Sequence, residues 1–203
     1  MIFPPRLYAI ADASFGNPVD IARALFDGGA QLVQVRNKTA GAAEVLRQAE
    51  EILRIVPPGA HLIVNDRVDI ARLVSAGVHL GQDDLPVEEA RRILGNDAII
   101  GISTHNRQQA LLAAVLAVDY IAVGPIYATS TKENPDPVVG LELLREICRN
   151  VDKPVVAIGG ITLERAPDVL RAGAASVAVI SDLLKTRNIC ERTRLWLDCI
   201  MSV

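Results

Sequence analysis

The sequence predicts an α/β protein folded as a single (β/α)8 TIM barrel over residues 1–203. Three observations lead there. Eight short runs rich in Val, Ile and Leu recur along the chain, with helical patterns between them. The runs are almost unbroken in apolar character, which suits parallel strands buried on both faces. No long Pro-, Gly- or Ser-rich linker interrupts the alternation, and eight evenly spaced units suit closure. A doubly wound open sheet is the alternative, but no G-x-G-x-x-G follows the first run.

In order, the runs are "LYAIAD" (7–12), "LVQVRN" (32–37), "HLIVND" (61–66) and "GVHLG" (77–81), then "AIIGIST" (98–104), "YIAVGP" (120–125), "PVVAIGG" (154–160) and "SVAVIS" (176–181). Between the first two, "NPVDIARALFDGGA" puts Ile21, Ala24 and Leu25 on one helical face and closes on Gly28 and Gly29. "AAEVLRQAEEILRIV" repeats the pattern with Val45, Leu46, Ala49, Ile52 and Leu53, and Pro57 and Pro58 stop it. "PVEEARRIL" has a proline at its first turn and acidic residues that suit the helix dipole. "TLERAPDVLRAG" opens on Thr162, an N-cap type, and ends on Gly173; Pro167 inside it is expected to kink it.

Half of the residues are apolar and the net charge is −3. No apolar run reaches the roughly 18 residues a membrane span needs, and the N-terminus lacks the pattern of a signal peptide. Without a Lys/Arg cluster, a nucleic-acid surface is not expected, so any anion must be bound by a few placed groups. Cys148, Cys190 and Cys199 show no metal-ligand spacing and read as buried or incidental thiols, so a cytoplasmic protein without structural disulfides is expected.

Barrel enzymes carry their chemistry at the C-terminal ends of strands. The second run ends in Gln34, Arg36 and Lys38, which share one face by alternation. The third ends in Asn65 and Asp66, and the fourth runs into Asp83 and Asp84. The fifth ends in Ser103, with His105 beyond it. The sixth leads into Thr129, Ser130, Thr131 and Lys132. Gly159 and Gly160 close the seventh, and Ile180 and Ser181 the eighth.

Each has a plainer reading. Asp66, Asp83 and Asp84 could cap the helices that follow, the glycine pair could serve a tight turn, and Arg36 and Lys38 could be a solvated strand end. Positive charge facing a barrel interior is costly unless paired, however. Carboxylates from adjacent strands facing a basic pair suit Mg²⁺ and a phosphate group. A glycine pair after strand seven, beside strand eight, suits a phosphate. The expectation is one mouth with two anion sites: Mg²⁺ and basic residues for a diphosphate, and a glycine-lined pocket for a monophosphate. His61 falls at the wrong end of its strand, and His79 reads as a satisfied core histidine.

The motifs "QVRNK", "VNDRVDIA", "GVHLGQDDLP", "GISTH", "VGPIYATSTK", "VAIGGIT" and "VAVIS" together resemble the thiamine phosphate synthase family, over essentially the whole chain. The resemblance implies an Mg²⁺-dependent transferase. It would join an aminopyrimidine methyl diphosphate to a thiazole phosphate, by loss of pyrophosphate to a carbocation. It assigns Gln34, Arg36, Lys38, Asn65, Ser103 and Lys132 to the pyrimidine diphosphate, with Arg36, Lys38, Ser103 and Lys132 acting in catalysis. It assigns Asp66 and Asp84 to Mg²⁺. Thr129, Ser130, Thr131, Gly160, Ile180 and Ser181 fall to the thiazole phosphate, beside Gly159. Asn37 departs from the acidic residue common at its position and is expected to face away. The counterpart of the Asp136 loop is open. Two relatives on the same scaffold compete. A thiazole tautomerase would carry a histidine where Pro125 stands, and a non-catalytic thiazole-phosphate binder need not keep the metal set. A phosphosugar isomerase or aldolase would need a base or Schiff-base lysine that is not evident, since Lys153 precedes strand seven. A homodimer is compatible with apolar helix faces.

Overall fold

In the computed structural model, which describes residues 3–129 and 136–201, eight parallel strands close into a barrel in chain order. The strands are β1 (Leu7–Asp12), β2 (Leu32–Arg36), β3 (His61–Asn65), β4 (Gly77–Leu80), β5 (Ile100–Thr104), β6 (Tyr120–Val123), β7 (Val155–Ile158) and β8 (Ser176–Val179). Helices α1 (Pro18–Asp27), α2 (Ala42–Leu53), α3 (Val68–Val74), α4 (Val87–Leu94), α5 (Arg107–Ala114), α6 (Gly140–Asn150) and α7 (Ala166–Arg171) follow the first seven strands in turn. After β8 come a single turn, α8 (Ser181–Leu184), and a last helix, α9 (Ile189–Met201).

Alternation along each strand divides the core in two. Ala9, Ala11, Val33, Val35, Val64 and Val78 face outward and pack with Leu25, Ile52 and Ile70 of the helices. Tyr8, Ile10, Leu32, Ile63, Tyr120, Ala122, Val156 and Ala178 fill the interior. Each fully buried Leu or Ile contributes roughly 1.5–3 kcal/mol. Interior volume also dictates a glycine. A Cβ on Gly101 would lie 2.0 Å from the Tyr120 ring, so this β5 position must be empty for Tyr120 to cross the barrel.

Most strands stop one or two residues short of the expected runs, because the polar residues, glycines and Pro125 at their ends turn into loops. Two helix expectations are corrected. Pro167 does not kink α7; it lies in that helix's first turn, where its missing N–H is not needed. Thr162 does not cap α7, which begins at Ala166. Its carbonyl instead accepts from the N–H groups of Arg165 and Ala166 in the preceding turn. The run through Ile180 and Ser181 is corrected as well: both lie past β8, at the start of α8.

Helix α9 ties the chain's end to the barrel. Trp196 is fully buried and its Nε1 donates to Asp182 at 2.6 Å, while Arg192 grips the same carboxylate with two nitrogens. Cys148, Cys190 and Cys199 are half-buried, and none of the three is in a disulfide.

Candidate active site

The C-terminal strand ends surround a cavity of about 590 Å³, within the range of small-molecule sites. Gln34, Arg36, Lys38, Asn65, Asp66, Asp84 and Ser103 line one side, and Thr129, Gly159, Gly160, Ile180 and Ser181 the other. The predicted residues from both groups therefore meet in one mouth. Ser130, Thr131 and Lys132 lie outside the described residues.

The basic side is built on a pair that the sequence reading missed. Asp12, the last residue of β1, is buried to 2% exposure, and its carboxylate binds the guanidinium of Arg36 across the β1–β2 register. Its other oxygen accepts from the backbone N–H and hydroxyl of Ser14, at 2.9 and 2.6 Å. Arg36 is thus paired and aimed rather than left as a solvated strand end. Lys38 is more exposed and reaches Asp66 at 3.3 Å. Asn37 faces away as expected, bonding Gln48 of α2 and the backbone of Thr39 and Ala40.

The two aspartates are not helix caps. Neither Arg67, at the start of α3, nor Pro86, at the start of α4, carries a side-chain cap. Asp66 adopts a left-handed backbone (φ 63°) and gives its N–H to the carbonyl of His79. Aspartate tolerates this conformation better than most side chains, and backbone held this way clusters at functional sites; Ser75 adopts it too, as the C-cap of α3. Asp84 accepts the Gly81 N–H at 2.7 Å. Burial raises the Asp84 carboxyl above its usual range; the Gly81 bond opposes this, and a hydrogen bond with Asp66 adds to it. Two carboxylates this close repel when both are ionised, so the pair fits a hard divalent cation. Among the described residues no group of three or more His, Cys, Asp or Glu forms a closed metal cage. Mg²⁺ needs none, since substrate phosphates and water complete its octahedron.

Below the mouth a chain of buried polar groups crosses the barrel. The Gln34 amide donates to the Tyr8 hydroxyl at 2.6 Å, and Tyr8 meets the Tyr120 hydroxyl at 2.9 Å. Tyr120 meets His79 Nδ1 at 2.9 Å, and His79 Nε2 meets Ser103 Oγ at 2.8 Å. Burial pushes both phenols upward and holds His79 down at about 4. All three are neutral near pH 7. His79 is satisfied, as the sequence suggested, yet it also lines the cavity. His61 does lie at the opposite end, edge-on to Phe3. His105 lines the cavity with Nδ1 2.7 Å from the Gly124 carbonyl and 3.5 Å from Asp136.

The glycine side is shaped by close approach. The β6–β7 pairing continues past both strands, as Ile126 and Tyr127 donate to the carbonyls of Ile158 and Gly159 at 2.9 and 3.0 Å. A Cβ on Gly160 would lie 2.5 Å from the Ala128 carbonyl, and one on Gly159 2.6 Å from Pro125. Arg165 locks the two loops, stacking 4.5 Å over the Tyr127 ring and donating to the Gly160 carbonyl at 2.8 Å. The glycines therefore do serve a tight turn, and that turn brings Thr129 to the cavity wall.

Comparison with known proteins places the fold in one family. Residues 7–183 match the family described as thiamine monophosphate synthase. A thiamine-phosphate synthase of Koribacter versatilis is 50% identical over 188 residues, covering 89% of each chain. One from Chloroflexus aurantiacus is 43% identical over 194 residues, covering 93% of this chain and 89% of the relative. The solved thiamine phosphate pyrophosphorylase from Pyrococcus furiosus superposes with a TM-score of 0.89 at 34% identity, covering 97% of this chain and 96% of that one. With a family match spanning the barrel from β1 into α8, and relatives aligned over nearly the whole chain, this protein belongs to the thiamine monophosphate synthase family.

Proposed function

We propose that the protein is an Mg²⁺-dependent thiamine phosphate synthase. It joins an aminopyrimidine methyl diphosphate to a thiazole phosphate, or to its carboxylated form, and releases thiamine phosphate and pyrophosphate. The observation that carries this reading is the two-sided cavity, with paired carboxylates and Arg36 facing a glycine turn across one mouth.

In the proposed reaction the bond between the pyrimidine methylene carbon and the diphosphate oxygen breaks, and its electron pair leaves with the diphosphate. The thiazole nitrogen lone pair then forms the new bond to that carbon. Gln34 and Asn65 hold the pyrimidine end, while Arg36, Lys38 and Ser103 supply donors to the departing diphosphate. Asp66 and Asp84 would hold Mg²⁺, which supplies further charge neutralisation when bound. Thr129, Gly159, Gly160, Ile180 and Ser181 seat the thiazole phosphate and fix its nitrogen against the reacting carbon. Ser130, Thr131 and Lys132 belong to the same proposal on family resemblance alone. No general base is required, because the attacking nitrogen carries no proton to remove.

The tautomerase alternative is not favoured: Pro125 lines the cavity where that branch carries a histidine, and the acidic pair reaches the same cavity. No helix among the described residues is long and apolar enough to cross a membrane, and the proposed location is the cytoplasm. The test is pyrophosphate release from the two phosphorylated halves, with and without a chelator, on the wild type and Asp84→Ala. Release that depends on both substrates, and that chelation and the substitution each abolish, is expected. Undiminished release after both would overturn the metal assignment, and no release from the wild type would overturn the function.

A further inference from the structure

The chain Gln34–Tyr8–Tyr120–His79–Ser103 draws one residue from each of five strands, and its bonds admit one consistent direction. The Gln34 Nε2 can only donate, so the Tyr8 oxygen accepts there. Tyr8 has a single proton, and its other partner is Tyr120. Were Tyr120 to donate back to it, the Tyr8 proton would be left buried without an acceptor, which is disfavoured. Tyr8 therefore donates to Tyr120, and Tyr120 donates to His79 Nδ1. A neutral imidazole that accepts at Nδ1 carries its proton on Nε2. His79 then donates to Ser103 Oγ, whose own proton is left to point into the cavity.

We infer that this chain is a relay of hydrogen-bond polarity, in which Tyr8, Tyr120 and His79 act as positioning residues that hold Ser103 as a donor toward an anionic substrate group. Reversed, the same atoms would present the Ser103 lone pairs to that anion and repel it. The functional half of the inference rests on the synthase reading above; the tautomer does not.

Two measurements test it. In substrate-free protein with nitrogen-labelled histidine, NMR should show His79 bare at Nδ1 and protonated at Nε2, with His79→Gln used to assign the signals. The opposite tautomer would overturn the relay. In the synthase assay, Tyr120→Phe should lower kcat about tenfold or more, as expected when a donor to developing negative charge loses its orientation. Its effect on KM for the pyrimidine diphosphate should be small. The Ser103→Ala/Tyr120→Phe double variant should be no slower than Ser103→Ala alone. Independent, multiplying losses would mean that Tyr120 only fills the barrel. Should Tyr120→Phe fail to fold, the nitrogen spectrum of the wild type decides the direction of the chain by itself, since the tautomer is read at the Tyr120–His79–Ser103 end. A wild type without synthase activity would remove the function proposed for the site, while the nitrogen spectrum would still decide the direction of the chain.

Discussion

The carboxylate of Asp12 holds the guanidinium of Arg36 where β1 and β2 end side by side. Asp12 is buried and also braced by Ser14, so it fixes a cation that would otherwise sample many rotamers. Asp12→Asn keeps an acceptor for Ser14 but turns an amide toward Arg36. We expect kcat/KM to fall about a hundredfold, with unfolding free energy reduced by about 1–3 kcal/mol. Asp12→Ala should be worse in stability. Steady-state kinetics and urea titration check both; wild-type kcat/KM in Asp12→Asn would show that Arg36 needs no partner.

His79 makes stability depend on pH. Burial lowers it from an ordinary 6.5 to about 4, so the unfolded chain binds a proton that the folded barrel refuses between those values. More protons on the unfolded state means that stability rises with pH across this window and is lost as pH falls through it. The His79 contribution should be on the order of a few kcal/mol. Urea unfolding across the window should show this slope in the wild type, and His79→Gln should lack it.

These two cases show what the sequence made legible. Alternating polarity placed Gln34, Arg36 and Lys38 on one cavity, and apolar runs placed all eight strands, because burial on both faces leaves a direct mark on composition. Asp12 escaped notice because it closes a strand whose remaining residues are all apolar, although its interior parity with Tyr8 and Ile10 was available. Tyr8, Tyr120 and His79 meet only through barrel closure, and no local spacing encodes a contact between β1 and β6. The left-handed backbone of Asp66 has no local signature either, since a non-glycine residue there is held by tertiary bonds.

Metal binding should be opposed by acid. The Asp84 carboxyl is raised above its usual range in the metal-free protein, chiefly by burial, with Asp66 reinforcing it. A proton held there must leave before a cation can use both oxygens, so Mg²⁺ affinity should weaken as pH falls and binding should release protons. Calorimetry in buffers of different ionisation enthalpy reads that release directly. Asp84→Asn should remove it and weaken Mg²⁺ at least about tenfold. For the metal-free protein the sign is opposite to that of His79: a raised carboxyl favours the folded state at low pH, and this contribution is lost as pH rises through it.

Gly160 should separate the two halves of the mouth. Its φ of 62° disfavours a side chain, and an added Cβ would meet the Ala128 carbonyl, a backbone atom that cannot rotate away. Gly160→Ala must therefore displace the Ile126–Ala128 segment or the β7 turn, at a cost of about 1–2 kcal/mol for the left-handed backbone alone. Thr129 follows that segment, whereas Arg36 ends β2 and Asp84 lies in the loop after β4, on the far side. We expect KM for the thiazole phosphate to rise about tenfold or more, with KM for the pyrimidine diphosphate within about twofold of wild type. Equal increases in both would mean that the glycine turn supports the whole mouth rather than one phosphate. The proper control is Gly101→Ala, where the added carbon would meet the Tyr120 ring inside the barrel. That variant should lose stability and both affinities together, because its clash lies in the core beneath the site.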